Sequence, residues 1–159
     1  MLVNEIITES LNKLHNPNEY QQALSTWEDY YGDGEGKQQL DQYSQTVDQL
    51  NQRGGTVYRA VWVQPGKKPR LDEPGEHWTI SPEQAEQYLE STAGHSAYID
   101  LMDDGIDPVP YIIGATVGPN SITNKNVLIA NFPDEFEVGL TNPASAKISV
   151  VKQADNPFR

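Results

Sequence analysis

The chain has 159 residues and 17.8 kDa, room for one domain around a single modest core. Lys and Arg number 11 against 23 Asp and Glu, a formal charge of −12, and that sign opposes extended contact with nucleic-acid phosphates or anionic lipid. With no cysteine there is no disulfide framework, thiolate nucleophile or Cys-ligated zinc, and three scattered histidines leave any metal chemistry to carboxylates. The first nine residues carry neither a basic segment nor a sustained apolar run, and no stretch approaches the roughly 18 apolar residues of a membrane span. The expectation is a cytoplasmic protein with no membrane contact.

From residue 2 to about 53, apolar residues recur at helical spacing. Ile6, Ile7, Leu11 and Leu14 line one side of a first segment, which Asn16-Pro17 interrupts. A second segment, 19–31, sets Leu24, Trp27 and Tyr31 near i, i+3, i+7 and runs into Gly32-Asp33-Gly34-Glu35-Gly36. A third, 37–53, repeats the pattern with Leu40, Tyr43, Val47 and Leu50 and stops at Gly54-Gly55. The N-terminal part, 1–55, is therefore predicted to be three helices.

Past Gly55 the character changes, because residues 56–63 are rich in β-branched and aromatic side chains. Further strands are predicted at 97–101, 110–117, 126–130, 135–140 and 147–152. One short helix is expected among them: Ser81-Pro82-Glu83-Gln84 supplies a capping hydroxyl, a first-turn proline and a capping-box glutamine, so 82–90 should be helical. No βαβ alternation is visible. The prediction is an α+β fold over a single domain, 1–159, with N-terminal helices packed on a mainly antiparallel β-rich core over 56–152. Two loops, 64–76 and 102–108, are heavy in proline, glycine and charge, and loops of that length in a compact domain are often functional.

Asp29 opens a stretch like the start of an EF-hand loop, but its third position is Tyr31 and its twelfth is Leu40, where a bidentate glutamate is required. Asp103, Asp104 and Asp107 lack the spacing of a known loop and read as a solvated acidic turn. No metal is therefore expected, and neither a phosphate-cradling glycine motif nor a Ser-His-Asp arrangement is present.

Three other segments gain meaning together. Arg59 is a cation in the middle of an apolar predicted strand, where it needs an anionic partner. Glu76-His77-Trp78-Thr79-Ile80-Ser81 is a short strand ending in hydroxyl residues just before a capped helix. In Pro133-Asp134-Glu135-Phe136-Glu137-Val138, Glu135 and Glu137 sit at i, i+2 and share a strand face, where two carboxylates repel unless a cation or proton lies between them. Taken singly, each has a plainer explanation. Arg59 could sit in a structural ion pair, Glu135 and Glu137 could charge the outer face of an edge strand, Ser81 could be only a helix cap, and Trp27, Trp62 and Trp78 could be core. His77 and His95 are too isolated to assign.

An arginine strand early, a Trp-Thr-Ile-Ser strand running into a helix and a Glu-Phe-Glu strand late, in that order and separation, resemble the R-S-E signature of arginine-specific mono-ADP-ribosyltransferases, with the nearest likeness to small bacteriophage and toxin-like members. Val57-Tyr58-Arg59-Ala60-Val61 stands for the arginine strand, Thr79-Ile80-Ser81 for the Ser-Thr-Ser strand, and Glu135-Phe136-Glu137 for the biglutamate motif. The middle motif departs from the pattern, with Thr79 and Ile80 in place of Ser and Thr. The resemblance covers 56–152 and leaves the helical part unexplained.

That resemblance implies a split, two-sheet β core and a transferase that moves ADP-ribose from NAD to arginine on a protein substrate, with some NAD hydrolysis and no metal. Breaking the N-glycosidic bond creates an oxocarbenium-like ribose, so negative charge is needed beside it, a role for Glu137. The pyrophosphate calls for a planar, permanently charged donor, which Arg59 would supply. Glu135 would orient an arginine acceptor and help remove its proton. Thr79, and less directly Ser81, would hold Glu137 in place. Tyr58 lies in the arginine strand and counts among the NAD-contacting candidates, while Trp78 and Phe136 either pack near the nicotinamide or belong to the core. A phage-encoded protein of this kind would work in the host cytoplasm. The competing expectation is a non-enzymatic interaction protein, a phage virion or host-takeover component that binds a partner through its acidic surface.

Overall fold

The computed structural model describes residues 17–71, 77–123 and 136–159. The first expected helix, the strand expected at 126–130 and Glu135 lie outside the described residues. Two helices open the described chain, α1 (Pro17–Tyr31) and α2 (Glu35–Arg53). The α2 stripe is the one the spacing predicts, with Leu40, Tyr43, Val47 and Leu50 all buried; on α1 the buried residues are Tyr20, Ala23 and Trp27, while the expected Leu24 and Tyr31 are only partly buried against the core. The three residues between them turn the chain back, with Gly32 and Gly34 at φ of +96° and +81°. Gly36 brings the two helices into backbone contact, since a Cβ there would fall 2.5 Å from Glu28 Cα and N.

β1 (Gly55–Val63) pairs along its whole length with β3 (Val109–Val117), from Gly55 opposite Val117 to Val63 opposite Val109. β6 (Lys147–Gln153) adds to the far side of β3. On the other flank stand β2 (His77–Thr79), β5 (Glu137–Leu140) and the two-residue β4 (Ile122–Thr123). All pairings are antiparallel, and the order is β4-β5-β2-β1-β3-β6. Among the described residues the six strands thus form one sheet where two were expected, its halves joined by the register pair Tyr58 opposite Thr79.

Side-chain alternation along β1 sends Val57 and Val61 to one face and Tyr58, Ala60 and Trp62 to the other. The first face carries the main core, in which Val57, Trp78, Ile113, Ala115, Val117, Val138 and Leu140 meet the buried stripes of α1 and α2. The second carries a smaller cluster of Ala60, Ala85, Leu89, Ile112 and Ala154, with Tyr58 and Trp62 against it. Ala85 and Leu89 come from α3 (Pro82–Glu90), which begins as predicted with Ser81 Oγ accepting from the Gln84 N–H at 3.2 Å.

The strand expected at 97–101 is instead part of α4 (Thr92–Asp103). The segment from Ala97 to Leu101, apolar but for Asp100, is too short to show a period, and the deciding signal lies upstream, where Ser91 Oγ caps the helix by accepting from the Gly94 N–H at 3.1 Å. Tyr98 then turns inward onto Trp62, ring centroids 5.0 Å apart, and Phe158 covers both.

The close approach at Gly36 yields a stability prediction. Gly36→Ala should lower the free energy of unfolding in urea by about 1–3 kcal/mol, the usual cost of forcing atoms into a packed contact; an unchanged midpoint would show that the helices separate freely.

Candidate functional site

The register aligns three of the residues singled out from the sequence. Tyr58 on β1 stands opposite Thr79 on β2, and Thr79 stands opposite Glu137 on β5, so the three occupy one row across adjacent strands at the place where the halves of the sheet join. Directly opposed residues in antiparallel strands share a face. Motifs separated widely in the sequence therefore meet in space.

The backbone around Glu137 is held from two sides. Thr79, 8% exposed, donates from Oγ1 to the Phe136 carbonyl at 3.3 Å. Tyr43 on α2 donates from its hydroxyl to the Glu137 carbonyl at 2.9 Å. Between these ties Phe136 adopts φ of +46°, a left-handed conformation that a bulky residue rarely takes and that costs of order 1–3 kcal/mol. Its ring is directed into the aromatic cluster of the main core, 5.5 Å edge-on from Trp27 and 6.4 Å from Tyr43.

The remaining candidates occupy different settings. Trp78 is 2% exposed and packs in the main core opposite Val138, and Phe136 packs against the same cluster, so both rings fill the protein's interior. Tyr58 lies on the opposite face against the smaller cluster. Ser81 caps α3. Arg59 is half-buried and follows Tyr58, so alternation sends it to the face of Val57 and Val61, away from the Tyr58–Thr79–Glu137 row. Arg59 and Glu137 thus lie on opposite faces of the sheet, and the strand faces do not bring the arginine and acidic motifs together. Arg59 follows Tyr58, the residue of β1 that pairs with β2 among the described residues.

Tyr43 was placed by its spacing only among core residues. The available signal was chemical: a tyrosine in a buried stripe must find a partner for its hydroxyl, whereas leucine at that position would not. Burial, and secondarily the Glu137 carboxylate, push its pKa well above the ordinary tyrosine value. No group of three or more His, Asp or Glu able to hold a metal occurs among the described residues, and no described helix is long and apolar enough to cross a membrane. No family model, curated protein or solved structure matches the chain.

The Tyr43 shift fixes the sign of an alkaline effect. Below pH of about 10 both folded and unfolded chains keep this proton; above it the unfolded chain releases it more readily, so the fold loses stability as pH rises. Unfolding midpoints compared between pH 9 and 11 should fall less steeply for Tyr43→Phe than for the parent, and parallel curves would show that Tyr43 ionises normally.

Proposed function

We propose that this chain transfers ADP-ribose from NAD to arginine on a protein substrate and releases nicotinamide. The observation that carries the reading is the Tyr58–Thr79–Glu137 row, which brings the hydroxyl and acidic motifs side by side with the strand that bears Arg59. NAD supplies the ribosyl group: its C1′–N bond breaks, nicotinamide leaves with the electron pair, and an acceptor nitrogen that has lost its proton forms the new bond at C1′. Glu137 supplies negative charge to the cationic ribose, and a carboxylate does this best from a fixed backbone. The Thr79 and Tyr43 hydroxyls fix that backbone. Arg59, on the strand next to β2, is the cation that would hold the pyrophosphate. Glu135, outside the described residues, keeps its expected role of orienting the acceptor and receiving its proton.

One observation favours a second reading, partner binding by the acidic surface without catalysis: Arg59 and the Thr79–Glu137 pair belong to different faces of the sheet. The two readings separate on a single preparation. With labelled NAD and a cell lysate, the transferase labels protein and releases nicotinamide, and Glu137→Gln reduces release about a hundredfold or more. NAD should also raise the melting temperature, and Arg59→Ala should remove that rise. No labelled protein, a Glu137→Gln variant indistinguishable from the parent and a melting temperature indifferent to NAD would leave the second reading in place.

A further inference from the structure

Two successive carbonyls, those of Phe136 and Glu137, are each held by a hydroxyl from a different part of the chain. Thr79 belongs to the sheet itself. Tyr43 belongs to α2, in the helical part to which the family resemblance assigns no role. Its ring contributes to the core beside Trp27, with centroids 5.5 Å apart, and a phenylalanine would fill that space equally well. The hydroxyl has a separate use: it donates to the Glu137 carbonyl at 2.9 Å from a residue that is only 1% exposed. Trp27 and Tyr43 both pack on the Phe136 ring, which keeps Phe136 in its left-handed conformation and so sets the direction from which β5 begins.

We propose that Tyr43 is a positioning residue for Glu137, and that the α1–α2 hairpin serves the site by fixing the start of β5 through that hydroxyl and the aromatic cage around Phe136. This rests on the reading of Glu137 as the carboxylate beside the breaking glycosidic bond. Catalytic groups must be held within about half an ångström of productive geometry, and a hydrogen bond from a rigid, buried helix residue meets that demand better than a surface contact.

Tyr43→Phe tests the assignment because it keeps the ring and removes the hydroxyl. In the full chain, kcat for nicotinamide release should fall about tenfold while KM for NAD stays within about twofold. Amide hydrogen exchange at residues 137–139 should quicken about tenfold, with the amides of α2 unchanged. Gln45→Ala, an exposed neighbour on the same helix, should alter neither. If the parent cleaves NAD and Tyr43→Phe does so with an unchanged kcat, or if exchange quickens throughout α2, the positioning role is overturned while the transferase reading stands. If the parent leaves NAD intact and Glu137→Gln makes no difference, both fall together.

Discussion

The described pairing between the two halves of the sheet is Tyr58 against Thr79, and the arrangement of the candidate site depends on that joint. It sets Thr79 between Tyr58 on β1 and Glu137 on β5, and leaves Arg59, the next residue along β1, on the other face of the sheet. Each half has its own support. β1, β3 and β6 are seven to nine residues long, whereas β2, β4 and β5 are only two to four residues long and rely on what packs around them.

What packs around them is aromatic. Trp27, Tyr43 and Phe136 form a cluster between α1, α2 and the start of β5, and Trp78 and Val138 continue the same core beneath the short strands. Burying a phenylalanine ring contributes about 1.5–3 kcal/mol, which offsets the strain of order 1–3 kcal/mol in the Phe136 backbone. The left-handed turn is therefore sustained by the ring it orients. Removing the cage would leave a strained residue with nothing to hold it.

Much of the fold was legible in the sequence. The stripe of α2, the cap of α3 and the positions of β1, β3 and β6 follow from spacing and capping chemistry. α4 was hidden because the short segment Ala97 to Leu101 has no clear period, and its N-cap, Ser91, is also the C-cap of the preceding helix. β4 was hidden by its length of two residues. Of the candidate site, the alignment of Thr79 with Glu137 was foreshadowed by their motifs, but the face on which Arg59 lies depends on register, and a shift of one residue reverses every side chain. The Tyr43 tie was illegible for another reason: periodicity reports that a residue is buried and says nothing of what its polar end meets.

The link from Tyr43 to Glu137 spans 94 positions, and β2 lies between a strand that precedes it and one that follows much later. During synthesis, the helical hairpin can collapse on itself as soon as it emerges, yet β2 must wait for β5 before its outer edge is paired. A ribosome paused before residue 137 would therefore leave that edge open as a template for non-native strand pairing.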